Sequence, residues 1–157
     1  MARISETEEF ARDWDWFAVD AAGNIGHFTT AGLRALPESV RSDREGAELL
    51  LSYFEATESK TGFSVRPEAK TDSGGWGLGG QERYLKSFAE MSGKGLFSYD
   101  TQMLHGPEAQ YYLVTRPDRP LVMTDLPEEI RSLLARTVSS VQLDHSEYIA
   151  ESETLTW

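Results

Sequence analysis

WDWFAVDAAGNIGHFT, residues 14–29, carries the clearest structural signal in the chain. Two runs rich in aromatic and β-branched residues flank the tetrapeptide Asp20-Ala21-Ala22-Gly23. Aspartate first and glycine last is typical of a type I turn whose glycine takes a left-handed conformation and forms a bulge. The flanking residues suit a pleated, half-buried surface. The stretch therefore predicts an antiparallel hairpin, with Val19 opposite Ile25.

Helical patterns follow the hairpin, and strand patterns return further along the chain. Helices are predicted over residues 6–13, 37–58, 81–92 and from 125 onward, and extended segments over 63–65, 96–100, 110–115, 121–124, 141–143 and 148–149. Gly46 interrupts the apolar stripe of residues 37–58 and is interpreted as a break between two helices. The order predicts an α+β fold, with a mostly antiparallel sheet that starts with the N-terminal hairpin and is packed by about three to four helices. A length of 157 residues without a long linker predicts one domain, residues 1–157.

The composition excludes several classes of function. The chain has no cysteine, so disulfides, thiolate metal sites and cysteine nucleophiles are ruled out. No apolar run approaches the 18 or so residues that a membrane span needs. Residues 1–9 are polar and acidic and lack the apolar core of a signal peptide. We therefore expect a cytoplasmic protein that does not bind membranes.

A formal net charge of −11 is large for a chain of this size. It argues against nucleic-acid binding, which needs clustered lysine and arginine. Acidic residues concentrate near the two ends of the chain, at Glu6, Glu8, Glu9, Asp13, Asp15, Asp20, Asp144, Glu147, Glu151 and Glu153. If both ends share one surface, the resulting acidic face would accelerate association with a basic partner. The alternative is that acidic ends serve solubility alone.

Residues 75–80, GWGLGG, satisfy the dinucleotide-binding pattern G-x-G-x-x-G, but the context is wrong for that function. The pattern requires a buried strand directly before it, and residues 68–73 are polar. A flexible loop carrying Trp76 is the better interpretation, and a tryptophan on such a loop is a candidate for partner or ligand contact. No cofactor is predicted.

The remaining chemistry is unspecific. His27, His105 and His145 share no metal-ligand spacing. A Ser-His-Asp arrangement is never excluded by sequence, because the fold brings its members together, yet no G-x-S-x-G elbow is present. Without a catalytic motif, we expect a non-enzymatic protein.

Trp14 and Trp16 lie two residues apart and share a strand face opposite Phe17 and Val19. Either both faces of this strand are buried in the core, or one face leaves its indoles exposed among acidic residues. Exposed tryptophans ringed by polar residues are typical of binding hot spots. The candidate partner-binding residues are Asp13, Trp14, Asp15, Trp16, Trp76, Glu147 and Glu151.

Residues 15–32, DWFAVDAAGNIGHFTTAG, resemble the opening of certain small, uncharacterised bacterial proteins, and the later segments 112–117, 120–121 and 126–127 fit the same likeness. Such chains are associated with the immunity proteins of bacterial toxin systems. The resemblance implies a class of function, namely neutralisation of a toxin, and assigns no site residues.

Three hypotheses follow from the sequence, and an enzyme is the last of them. The first is a protein-binding module, with an immunity-type role against a basic toxin as its most concrete form. The second is a small-molecule binding or sensing domain whose Trp76 loop closes over a pocket.

Overall fold

The computed structural model describes residues 2–75, 80–102 and 109–157. Its first two strands, β1 (Asp15–Val19) and β2 (Ile25–Thr29), form the predicted hairpin in the predicted register, with Val19 opposite Ile25. The amide of Gly23 donates to the carbonyl of Asp20 over 3.0 Å, and Gly23 has a φ of 86°. Glycine adopts this left-handed conformation without strain, so the predicted turn with its left-handed glycine is confirmed.

The six-stranded sheet is mixed, which corrects the prediction of a mostly antiparallel one. The strand order is β1-β2-β4-β5-β3, and β6 also pairs with β5. The remaining strands are β3 (Phe63–Val65), β4 (Phe97–Thr101), β5 (Gln110–Pro117) and β6 (Tyr148–Ala150). β4 lies parallel to β2 at the centre of the sheet. The long segment between these two strands, which contains helices and β3, forms a crossover that returns the chain in the same direction. Periodicity within one strand does not reveal such a pairing.

The described residues contain seven α-helices, more than the three to four predicted. They are α1 (Glu6–Ala11), α2 (Glu38–Arg41), α3 (Arg44–Ala56), α4 (Ala69–Asp72), α5 (Gly80–Gly93), α6 (Glu128–Leu134) and α7 (Glu151–Thr154). α2, α4 and α7 have four residues each, too few to show a helical period in the sequence.

Two predicted extended segments, 121–124 and 141–143, do not form strands, and each runs into a 3-10 turn, over Met123–Asp125 and Leu143–His145. Around the turn at Met123–Asp125, the amide of Leu121 donates to the carbonyl of Gly95, and the amide of Met123 donates to the carbonyl of Gly23. Because these bonds reach two different loops, no strand ladder forms.

Gly46 does not break a helix, and the prediction at this position is wrong. The chain interrupts its helix at Ser42 and Asp43, and Gly46 lies in the first turn of α3. A Cβ atom there would stand 2.5 Å from Asp43 Oδ2 and 3.2 Å from Leu133 Cδ2. The glycine therefore allows α3 to approach α6 closely.

Both faces of the hairpin belong to the core. On one face Trp16 stacks on Phe28 with ring centroids 4.2 Å apart, and Trp157 meets it edge-on at 6.1 Å. On the other face Phe17 packs on Phe54 of α3 at 4.7 Å. No helix in the described residues is long and apolar enough to cross a membrane.

Candidate functional site

The indoles of Trp14 and Trp16 are buried, at 5% and 1% exposure. Of the two alternatives for the hairpin, the core arrangement is therefore confirmed and the exposed aromatic patch is wrong. The Trp14 ring is covered by the guanidinium of Arg12, whose Cζ lies 3.5 Å from the ring centroid, and its Nε1 donates to the carbonyl of Glu8. Trp16 donates through Nε1 to the hydroxyl of Tyr111 over 3.3 Å. Helices and the C-terminal residue cover both faces, and sequence periodicity does not show such long-range covering.

Asp13 and Asp15 lie where β1 begins, and both contact neighbouring strands and loops. Asp13 Oδ1 accepts a hydrogen bond from the amide of Ala31 over 2.8 Å. Burial raises the pKa of Asp13; the Ala31 amide opposes the shift, and the charges of Asp15 and Asp100 add to it. These carboxylates therefore help to order the strand ends, and any contact between them and a partner stays a prediction.

Asp15, His27 and Ser98 form a Ser-His-Asp arrangement across three strands. His27 Nε2 lies 2.7 Å from Asp15 Oδ1, and Nδ1 lies 2.7 Å from Ser98 Oγ. A carboxylate oxygen accepts, so Nε2 carries a proton and the serine hydroxyl donates to Nδ1 in the neutral ring. His27 and Ser98 are completely buried, so this serine has no access to a substrate. The arrangement ties β1, β2 and β4 together and supports no catalytic role.

A second polar cluster continues along the same face of the sheet. Asp100 Oδ2 accepts from the hydroxyl of Tyr84 at 2.6 Å and lies 3.1 Å from that of Tyr112, while Asp100 Oδ1 accepts from Thr29. Burial raises the pKa of both tyrosines, and the negative charge of Asp100 raises it further. Within the described ranges, no group of three or more histidine, aspartate or glutamate side chains is arranged to hold a metal ion.

Glu147 and Glu151, the two predicted contact residues near the C-terminus, both approach buried arginines. Glu151 Oε2 lies 3.3 Å from Arg34 Nη1, and Glu147 Oε2 lies 3.9 Å from Arg66 Nη1. The Arg66 side chain also donates to the carbonyl of Leu113 and pairs with Asp72. These glutamates therefore compensate buried cations as well as facing solvent. Trp76 lies outside the described residues.

Several of the carboxylates near the two chain ends serve internal groups, and an acidic face shared by both ends stays a prediction. Asp20 accepts from the amides of Ala22 and Asn24 and from the distant amide of Leu143. Glu9 is 2% exposed, accepts from the amide of Leu36 and pairs with Arg41. The sequence shows how many acids there are, but it does not show which of them the folded chain uses itself.

Arginines follow the same pattern: many are held in ion pairs with the protein's own carboxylates. The arginines so engaged are Arg3, Arg12, Arg34, Arg41, Arg44, Arg66 and Arg136. Several exposed carboxylates have no ion pair of this kind among the described residues, namely Glu6, Glu55, Glu58, Glu82, Glu90, Asp125, Glu128, Glu129 and Glu153. Five exposed cations also lack such an ion pair among the described residues, namely Lys60, Lys70, Arg83, Lys86 and Arg119. The unpaired carboxylates outnumber them, so the uncompensated charge of the surface is negative, in keeping with the formal net charge of −11.

Two of these carboxylates, Glu128 and Glu129, border an opening between α3 and α6. A cleft of about 740 Å³ opens there, lined by Asp43, Glu45, Gly46, Leu49, Glu128, Glu129, Ser132, Leu133 and Arg136. Leu49 is 41% exposed and, with Leu133, provides apolar surface. Glu45, Glu128 and Glu129 provide exposed carboxylates. We call this opening the α3–α6 cleft.

The single arginine that lines the α3–α6 cleft is already paired. Arg136 Nη1 lies 2.7 Å from Asp43 Oδ2, and the same aspartate accepts from the amide of Gly46 at the start of α3. The carboxylate of Glu45 accepts a hydrogen bond from the amide of Ala2, and this hydrogen bond lowers the pKa of Glu45. The lining therefore combines apolar surface with negative charge.

Sequence reasoning missed the α3–α6 cleft, although one signal was available. Leu49 lies outside the stripe formed by Ala47, Leu50, Leu51 and Phe54, and an apolar residue on the wrong face of an amphipathic helix indicates exposure or contact. Glu128 and Glu129 lie in the first turn of α6, where acids are favoured in any case, so their presence does not by itself indicate a cleft. Nothing in the sequence places these two segments side by side.

The chain matches no protein-family model, no curated protein and no solved structure.

Proposed function

We propose that this chain is a binding module for a basic protein, and that an immunity-type role against a bacterial toxin is the most concrete form of this function. The observation that supports it is the uncompensated negative surface charge. Seven arginines are engaged in ion pairs within the chain, while exposed glutamates around the α3–α6 cleft have none among the described residues.

The physical argument concerns complementarity. Exposed charges of one sign steer an oppositely charged partner and discourage partners of the same sign. They also repel nucleic acid, whose backbone carries a dense negative charge. A basic protein surface is therefore the partner class that this chain fits best.

The alternative, a small-molecule binding or sensing domain, depends on Trp76 closing over a pocket. A ligand-induced change in tryptophan fluorescence that disappears in Trp76→Ala would favour it. Loss of a protein partner's affinity in charge variants, with no such fluorescence change, would favour the protein-binding function.

The experiment that tests the proposal uses the protein encoded beside this chain in its source genome. Both proteins are purified, and their dissociation constant is measured by biolayer interferometry between 50 and 500 mM NaCl. Screening by salt weakens attraction between exposed charges, so we expect the dissociation constant to rise steeply with salt.

Co-expression provides a functional control for the immunity-type role. The neighbouring protein is induced in a host cell with or without this chain, and growth is recorded. Protection by the wild-type chain supports the role. Growth inhibition that this chain does not relieve, together with no measurable affinity at 50 mM NaCl, would refute it.

A further inference from the structure

We propose that the α3–α6 cleft is the docking site for an amphipathic, basic helix of the partner protein, an inference that rests on the proposed function and specifies its contact surface. The occupant lays an apolar residue against Leu49 and Leu133. Its lysine or arginine side chains reach the carboxylates on either side.

The apolar part of this surface is unusual for the helix that carries it. α3 buries Leu50 and Phe54 against the core, yet Leu49 is 41% exposed beside Leu133 of α6. An amphipathic helix recognised in a groove uses a short series of apolar anchors, and a half-exposed leucine in this wide, open depression is suited to contact one. A volume of about 740 Å³ accommodates several side chains.

The charged part selects the sign of the occupant. Glu45 extends from α3, and Glu128 and Glu129 extend from α6, so carboxylates border the opening from both helices. Arg136 does not offset them, because it is paired with Asp43 at 2.7 Å. Acids in the first turn of a helix also stabilise that helix, but helix stabilisation does not require an apolar cleft beside them.

A second copy of this chain is a poorer occupant than a basic helix. Each copy carries a formal net charge of −11, so self-association through an acidic opening places like charges together. A metal ion is also a poorer occupant, since the described residues contain no cluster of three ligands able to hold one.

Local binding is measured with a fluorescent label, which the absence of native cysteine makes straightforward. Ser132→Cys places an environment-sensitive dye in the cleft, and Ser152→Cys places the same dye on exposed α7 outside it. The probe is a synthetic 18-residue peptide of lysine and leucine with a helical repeat. A scrambled peptide of identical composition is the control. We expect a saturable shift with the helical peptide at position 132 and none at position 152.

Charge variants then separate this site from general attraction. Glu128→Gln/Glu129→Gln removes two charges from the cleft, and Glu90→Gln/Glu153→Gln removes two exposed charges elsewhere. We expect Glu128→Gln/Glu129→Gln to weaken peptide binding about fivefold to tenfold and Glu90→Gln/Glu153→Gln to weaken it less than about twofold. These ranges follow from the usual free energies of exposed charge pairs. Leu49→Ser removes the apolar anchor and should weaken binding about threefold to eightfold, judged from the area it exposes. Circular dichroism checks that each variant is folded.

Several results would overturn the assignment. They are equal dye responses at positions 132 and 152, equal losses in both charge pairs, no binding of the peptide to the wild-type chain, or a dye response that grows with protein concentration alone. The first two indicate diffuse attraction and leave the proposed function standing. If the peptide maps to the cleft but the neighbouring protein does not bind, the docking site stands and the proposed partner is wrong.

Discussion

Replacing Gly46 with alanine should destabilise the protein, which is the opposite of the usual effect of this change in a helix. In an open helix position alanine is about 1 kcal/mol better than glycine. At Gly46 the added Cβ would stand 2.5 Å from Asp43 Oδ2, 2.9 Å from Asp43 Cγ and 3.2 Å from Leu133 Cδ2. The carboxylate of Asp43 must therefore move.

The cost follows from what Asp43 does. Its Oδ1 accepts from the amide of Gly46 as the N-cap of α3, and loss of such a cap costs about 0.5–2 kcal/mol. Its Oδ2 pairs with Arg136, whose side chain is 48% exposed, so that the pair contributes about 0.2–1 kcal/mol. Asp43 is 8% exposed, and leaving its carboxylate without partners costs about 1–3 kcal/mol. These losses exceed the gain of about 1 kcal/mol in helix propensity, so we expect Gly46→Ala to lower the free energy of unfolding by about 1–2 kcal/mol.

Urea unfolding followed by circular dichroism measures this change. Ser52→Ala, at an exposed interior position of α3, is the control and should raise stability by a few tenths of a kcal/mol, about 0.4. In an Asp43→Ala background, Gly46→Ala should lose most of its penalty because the clashing carboxylate is gone. If Gly46→Ala stabilises the wild-type chain by about 1 kcal/mol, the close contact between Gly46 and the capping carboxylate of Asp43 is wrong.

Three further predictions concern the core and its titrating groups. Trp16→Ala should lower the free energy of unfolding in urea by about 3–5 kcal/mol, because it leaves a cavity against Phe28 and Trp157. A loss below about 1 kcal/mol would contradict the burial of this indole. Asp13→Asn keeps an oxygen for the Ala31 amide but removes the charge. Because the folded state raises the pKa of Asp13, the stability of the wild-type protein falls as pH rises through that pKa, so the variant should be more stable at pH 7 and should lose less stability between pH 4 and pH 7. An unchanged pH profile of urea unfolding would contradict this expectation. Burial raises the pKa of Tyr84, Tyr99, Tyr111 and Tyr112, so their contribution to stability is present below the ordinary tyrosine pKa of about 10 and is lost above it. Absorbance at 295 nm should therefore show these phenols ionising together with unfolding. Ionisation of these phenols while the protein stays folded would refute their burial.

Local signals predicted the hairpin and its register correctly, because the turn residues Asp20 and Gly23 set the geometry within a few positions. The parallel pairing of β2 with β4 was not predictable in this way. Its partners Gly26 and Phe97 lie far apart in sequence, and only the whole crossover between them determines the strand direction.

The chemistry of individual residues was harder to predict for a related reason. His27 lies within the predicted hairpin, but its pairing with Asp15 and Ser98 depends on three strands meeting in one register. Glu151 was expected to face a partner, but the fold brings Arg34 to within 3.3 Å of it. A side chain's charge follows from sequence alone, whereas its compensation depends on tertiary contacts.

The salt dependence of the affinity for the neighbouring gene's protein tests the central proposal most directly. The proposal predicts that the dissociation constant rises at least tenfold between 50 and 500 mM NaCl, and that Glu128→Gln/Glu129→Gln reduces this slope while Glu90→Gln/Glu153→Gln has a smaller effect. An affinity that is the same at both salt concentrations and in both variants would contradict it.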